Sequence, residues 1–206
     1  MMNSATLMIF IPTFIAVSVT PGMCMTLAMT LGMSVGLKRT LWMMAGELVG
    51  VAVVSVCSVV GVAVVMVRYP EFFTVFKWVG GIYLFYLGVQ LWRSRGKMSL
   101  SAHKGVARIP PVTLMIQGFV TAVANPKGWA FFIALLPPFI AYERPIVGQL
   151  VVLVGMILVI EFCSLLLYAL GGSSLRALLQ QEAHVKLLNR IAGVLMMGVG
   201  VWLALG

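Results

Sequence analysis

Charge is what this sequence has least of. Only 9% of its 206 residues are charged and just five are acidic, while 62% are hydrophobic and the mean hydropathy is +1.09. A soluble domain has about 25% charged residues, so the composition excludes a water-soluble fold and points to a membrane protein. Histidine is nearly missing. His103 and His184 both fall in connections between apolar runs, so there is no paired-His metal spacing. There is also no Gly-rich nucleotide loop and no Ser-His-Asp set. These absences argue against an enzyme and against ATP-driven work by this chain alone, and no cofactor or metal is expected. Cysteine is scarce and odd in number, and Cys24, Cys57 and Cys163 each lie in an apolar segment. They read as buried free thiols packing as small hydrophobes. The N-terminus lacks a basic n-region and its apolar run continues past Pro21 to Leu31, too far for a cleaved signal, so it reads as a mature helix.

What the chain does have is long apolar runs. Six are suited to helices: Leu7–Leu31, Leu41–Val67, Phe72–Trp92, Val112–Ile140, Ile146–Leu170 and Leu187–Leu205. Each reaches the ~17 residues needed to cross the hydrocarbon core. The expected fold is therefore all-α, a polytopic bundle of six transmembrane helices in a single domain, 1–206. The first and fourth runs are interrupted by Pro21 and Pro126, and either could instead be re-entrant, which keeps a five-span alternative open.

The net charge of +9 does not imply nucleic acid, because the basic residues sit in short connections, where they act as topology signals beside anionic lipid. With six spans, the first, third and fifth loops hold ten of the fourteen basic residues, from Lys38 and Arg39 to Lys186 and Arg190. The second and fourth hold only Arg68, Lys77 and Arg144. The positive-inside rule then places both termini outside the cytoplasm and the Arg93–Pro111 connection inside it. Arg190, near the start of the last run, is expected to snorkel toward the headgroups.

The halves, about 5–95 and 110–206, resemble each other. Lys77-Trp78-Val79-Gly80-Gly81-Ile82 aligns with Asn189-Arg190-Ile191-Ala192-Gly193-Val194 at an offset of 112, so that Gly81 matches Gly193 and Gly88 matches Gly200. Thr20-Pro21-Gly22 stands against Asn125-Pro126-Lys127, and Glu47 against Glu161. Three spans is an odd number, so the second repeat is inverted relative to the first. A 3+3 inverted repeat with broken first and fourth helices is a sequence signature of secondary transporters, with the site at the midplane.

Asn125-Pro126-Lys127 is the most informative stretch, since it puts a helix breaker and a cation inside an apolar run. A lysine at the bilayer centre costs at least ~2.5–3.5 kcal/mol. Proline removes a backbone donor and disfavours helix at the residue before it. A break at that depth must line a protein-enclosed cavity. Glu47, Lys127 and Glu161 lie deep in spans, and ionisable residues there are functional candidates. The bland alternative is a buried Lys127–Glu161 pair that only fixes packing, while Glu47 sits a turn and a half into its run and could reach an interface. Free N–H groups after Pro21, with close approach allowed by Gly22, and the Lys127 charge suit a carboxylate. Glu161 suits an ammonium group or a proton. A zwitterion satisfies both, although a proton site or an anion site fits the same residues. Tyr168, two turns after Glu161, reads as a substrate hydrogen-bond donor or a member of the interfacial belt. Gly32-x-x-x-Gly36 and Gly46-x-x-x-Gly50 are small-residue packing faces, and Met23-Cys24-Met25 reads as gap-filling rather than a Cu(I) clasp.

Thr20-Pro21-Gly22, the run from Phe76 to Gly88 and Asn125-Pro126-Lys127, in that order, resemble the LysE/RhtB-type amino-acid exporters. Glu161 and Tyr168 fall where many members carry an acidic residue and a tyrosine. The chain departs from the family's Pro-Gly-Pro at Met23. The resemblance covers nearly the whole chain and implies a multi-pass inner-membrane exporter of amino acids driven by the proton gradient, with lipid, protons and a small amino acid as partners. Association into a homo-oligomer stays open. Two other readings share the helix plan. A transmembrane thiol–disulfide conduit needs a cysteine in each repeat, but Cys24 has Trp129 at the equivalent place. An ion or metal exporter needs more ligands within the spans.

Overall fold

Backbone polar groups in apolar surroundings can be satisfied only within helices or closed barrels, and the described elements of this chain take the helical solution. The computed structural model describes residues 4–68, 72–94 and 109–205. In chain order the helices are α1 (Ser4–Val19), α2 (Met23–Val35), α3 (Leu37–Arg68), α4 (Phe72–Arg93), α5 (Pro111–Val123), α6 (Pro126–Leu135), α7 (Ile146–Gln180) and α8 (Glu182–Leu205), with a 3₁₀ turn at Pro137–Phe139 between α6 and α7.

Among the described residues, Leu37–Val62, Ile146–Gly171 and Glu182–Leu205 are long and apolar enough to cross a membrane. The α1–α2 pair, bent by 53°, makes a fourth if counted as one broken span. Both interrupted runs break at their prolines. α1 stops at Val19 and α2 begins at Met23, because Pro21 lacks an N–H and disfavours helix at Thr20. α5 stops at Val123, and Pro126 then opens α6, where the missing donor is tolerated.

Several basic residues expected in loops stand on helices instead. Only Gly36 separates α2 from α3, and its φ of 79° lets the chain reverse within one residue. Lys38 and Arg39 therefore lie in the first turn of α3, and Arg39 donates from Nη2 to the Ile109 carbonyl at 2.9 Å. Similarly, α7 runs on through Arg176, and α8 starts early enough to carry Lys186 and Arg190. At 32 and 35 residues, α3 and α7 exceed the ~20 that span the hydrocarbon core, and a helix running on into water keeps its own backbone satisfied. Arg190 lies 5.4 Å from the centre of the Trp92 ring, a cation–π contact that ties α8 to the end of α4. The long basic connection falls on residues 95–108, outside the described residues.

Helix pairing follows the small residues. A methyl group added at Gly81 or at Gly200 would lie 2.6 Å from the other's carbonyl oxygen, and Gly88 and Gly193 stand in the same reciprocal relation. These two contacts zip α4 against α8. Gly46 and Gly118 hold α3 and α5 together, with backbone of Met115 and Met43 in the space a side chain would need, while Gly32 lets α2 lie on Ala169 of α7. Such faces bring helices close where lipid removes any hydrophobic drive between them. One core gathers aromatic rings from α1, α6 and the 3₁₀ turn, with Phe10 and Phe139 at 5.1 Å and Phe14 and Phe132 at 6.1 Å between centroids. A second holds Met25, Met29, Met43 and Met44 with Leu165 and Tyr168. Of the three cysteines, Cys24 is buried as expected, but Cys57 and Cys163 are exposed on the bundle's outer surface. Apolar helix faces turn outward here too, because lipid accepts a thiol as readily as a core does.

Overpacking of a tight site costs about 1–3 kcal/mol. Gly46→Val should therefore lower the melting midpoint of the purified protein and the yield of monodisperse material. Gly198→Val, where an added methyl meets nothing, should leave both unchanged. Equal behaviour of the two variants in a fluorescence-detected thermal shift would contradict the α3–α5 seam.

Candidate functional site

Both helix breaks open onto one cavity of about 120 Å³, room for roughly four waters. Thr20, Gly22 and Cys24 line it from the first break, and Asn125 and Gly128 from the second. Glu47 of α3 and Glu161 of α7 enter from the sides, and the rings of Phe14, Phe131 and Phe132 form an apolar wall. The cavity sits at the junction of the two cores, drawing Phe14, Val51 and Phe131 from one and Cys24 and Met25 from the other.

A broken helix leaves carbonyl groups without an intrahelical partner, and here the two breaks are closed by the same device. The Tyr168 hydroxyl donates to the carbonyl of Val19, the last residue of α1, at 2.7 Å. The Trp129 indole N–H donates to the carbonyl of Val123, the last residue of α5, at 2.8 Å. Thr20 adds its hydroxyl to the Ala16 carbonyl at 2.7 Å. On the other side of the first break, α2 begins at an extended Gly22 with no side-chain cap, and its first turn, Met23 to Met25, borders the cavity. Backbone N–H groups at such an end have positive dipole character.

The two carboxyl groups have different surroundings. Glu161 accepts a hydrogen bond from the Ser18 hydroxyl, and the Ser164 oxygen stands 3.1 Å from that of Ser18. One hydroxyl has one proton to give, so Ser18 donates to Glu161 and is left to accept from Ser164. Glu47 is only 1% exposed, and neither of its oxygens receives a hydrogen bond. The polar groups beside it are the Glu161 carboxyl and the Cys24 thiol. A buried carboxylate is costly by several kcal/mol unless a donor or a cation meets it, and among the described residues Glu47 has only the weak S–H donor of Cys24 beside it.

The residues singled out in the sequence thus converge for the most part. Gly22, Asn125, Glu47 and Glu161 all face the cavity, and Pro21 makes the break that exposes Gly22. Glu47, which could have reached an interface, lies in the interior instead. Tyr168 is buried, with its hydroxyl on the first break. Pro126 is the first residue of α6, but the side chains of Pro126 and Lys127 lie outside the described residues, and the expected Lys127–Glu161 contact lies outside with them. Sequence reading missed Ser18, Ser164 and Trp129 as site builders. Ser164 was legible, three residues after Glu161 and so on the same helix face; Ser18 and Trp129 gain their roles only from chain folding. All three cysteines are free and Cys24 is the one that lines the cavity. Among the described residues, no three His, Cys, Asp or Glu side chains converge to hold a metal ion.

A profile of the LysE type translocators matches residues 15–206. The homoserine/homoserine lactone efflux protein of Salmonella typhimurium is 30% identical over 161 residues, covering 78% of this chain and 77% of that protein. A leucine efflux protein of Enterobacter sp. is 28% identical over 162 residues, 77% of this chain and 76% of that one. An uncharacterized membrane protein of Vibrio cholerae is 26% identical over 195 residues, 95% and 94% of the two chains. No solved structure matches the chain.

Removing one hydroxyl tests the closure of the first break. Tyr168→Phe keeps the ring but leaves the Val19 carbonyl unpaired in a dry site, a loss of about 1–3 kcal/mol. A lower thermal midpoint, with the detergent-solubilised protein otherwise monodisperse, is the expected result. An unchanged midpoint would mean that the Val19 carbonyl finds another partner.

Proposed function

The chain belongs to the LysE type translocator family, and from that premise we propose that it is a secondary active exporter of small amino acids or related metabolites across the bacterial inner membrane, working by proton antiport. The observation that carries the proposal is the shared cavity, lined by both helix breaks and by a carboxyl group from each half of the chain. Intramembrane carboxyl groups facing a cavity are the usual elements of proton-linked pathways. Relatives named for efflux of homoserine, homoserine lactone and leucine support cargo with an uncharged side chain. The aromatic wall suits such a side chain, the uncapped start of α2 suits the cargo carboxylate, and Glu161 suits its ammonium group or the counter-transported proton. Pro21, Gly22, Asn125 and Pro126 shape the site, Tyr168 holds the first break, and Lys127 is assigned to the carboxylate side.

In this reading the helices form six spans as a 3+3 inverted repeat, with α1–α2 and α5–α6 as the broken first and fourth spans. The glycine seam supports it. A two-fold relation that exchanges Gly81 with Gly193 and Gly88 with Gly200 converts the Gly81–Gly200 contact into the Gly193–Gly88 contact, and both occur. Both termini are then periplasmic.

Efflux from cells with and without the gene, measured across homoserine, threonine, leucine, cysteine and their toxic analogues, tests the function. Expression should raise export of at least one of them, and Glu161→Gln should reduce pH-gradient-driven export at least tenfold while the protein stays folded and inserted. Undiminished export by a well-expressed Glu161→Gln protein would remove this residue from the mechanism. Cysteines introduced at Leu100 and Glu143 test the topology in intact cells. Labelling from outside should reach position 143 and not position 100, and the reverse would overturn the orientation.

A further inference from the structure

Glu47 lines the cavity but has no ligand of its own assigned so far, and it is the described carboxyl group that the structure leaves least satisfied. Both of its oxygens are buried and without a donor. The hydroxyl groups that line the cavity are already committed, Ser18 giving its proton to Glu161 and Thr20 to Ala16, which leaves only the weak S–H donor of Cys24 beside Glu47. What Glu47 shares the cavity with is a second carboxyl group, Glu161, which lines the same small space from α7. Two ionised carboxylates at one site in a poorly screened interior repel strongly, and neither can donate a hydrogen bond to the other. A single added proton removes both difficulties, since it neutralises one group and bridges to the other. An ammonium group does the same, with three N–H donors and a full positive charge.

We propose that Glu47 and Glu161 form one shared cation site that holds either a proton between the two carboxyl groups or the ammonium group of the cargo, and never both, so that one proton is exchanged for one substrate. This rests on the exporter reading and adds to it the stoichiometry and the second carboxyl group. The cavity supports exclusive occupancy. The cavity is small, about 120 Å³, and the bridging proton and the ammonium group would need the same oxygens. The titratable groups that border it among the described residues are Cys24 from α2, Glu47 from α3 and Glu161 from α7. α1 contributes Ser18 and Thr20, and the second break contributes Asn125 and Gly128. Because one carboxyl group comes from each half of the chain, a rocking motion between the halves would separate the pair and release what it holds.

The test uses the purified full chain in lipid nanodiscs. Infrared spectroscopy of the resting protein should show the carbonyl band of a protonated carboxyl group, lost in Glu47→Gln/Glu161→Gln. Excess L-homoserine or L-leucine, whichever the export assay identifies, should remove that band and release one proton per molecule bound, read with a pH indicator in weak buffer. Glu47→Gln should weaken binding at least tenfold and release markedly less than one proton, while Glu47→Asp should restore the one-to-one exchange. Absence of a protonated-carboxyl band in the resting wild type would overturn the shared site, and would indicate that a cation such as Lys127 already neutralises the pair. Binding without proton release, or full release by Glu47→Gln, would overturn it as well. Failure of every amino acid to bind or be exported would sink the exporter reading instead, while the infrared band still decides whether the pair holds a proton. Should Glu47→Gln not fold, the wild-type band and its response to ligand carry the decision alone.

Discussion

An interrupted backbone inside apolar surroundings is the constraint on which the rest of this structure depends. Prolines at 21 and 126 end two helices where no water is guaranteed, and the exposed carbonyl groups must find donors in the protein. The chain answers with two large aromatic side chains, Tyr168 reaching across to α1 from α7 and Trp129 reaching back to α5 from within α6. Each is amphipathic, an apolar body with one donor at its tip, which is what an acceptor at the edge of an apolar core needs. With the acceptors closed in this way, the uncapped start of α2 remains open, and it borders the cavity.

Close helix approach allows so small a cavity to be enclosed at all. Glycines at the α3–α5, α2–α7 and α4–α8 contacts bring backbones against each other, so the bundle wall is tight while the centre keeps space. The two hydrophobic cores flank that space rather than fill it. Methionine dominates the buried side next to the first break and phenylalanine the side next to the second. The first offers flexible, polarisable packing and the second a rigid wall with a negative π face. A conformational cycle that opens the cavity to either side would find its adaptable surface on α2 and α3.

The unequal surroundings of the two glutamates separate positioning from binding. Glu161 is oriented by Ser18, which is in turn backed by Ser164, so that carboxyl group is held in place before any ligand arrives. Glu47 has only the Glu161 carboxyl and the weakly donating Cys24 thiol beside it among the described residues. In the proposed exchange, a pair of this kind, one member oriented and one unsatisfied, would favour a positive species and so couple two ligands that compete for it.

Much of this was determined by the sequence alone. Apolar runs of spanning length and the near absence of charge set the class, because burial in lipid leaves a chain almost no other option. Two prolines located the breaks to within two residues, because the missing N–H and the bias on the preceding residue act locally, although Pro12 is carried inside α1 without ending it. The depth of Glu47 and Glu161 in their runs marked both as candidates for the same reason of cost. Other features were settled only by tertiary structure. Lys38 and Arg39 left the expected loop for a helix because Gly36 could reverse the chain alone. Cys57 and Cys163 turned outward, a choice that hydrophobicity cannot predict when both faces of a helix are apolar. Tyr168 became the closure of the first break and Glu47 met Glu161 across the bundle, because partners 149 and 114 residues apart in sequence are brought together by helix packing, which no local pattern encodes.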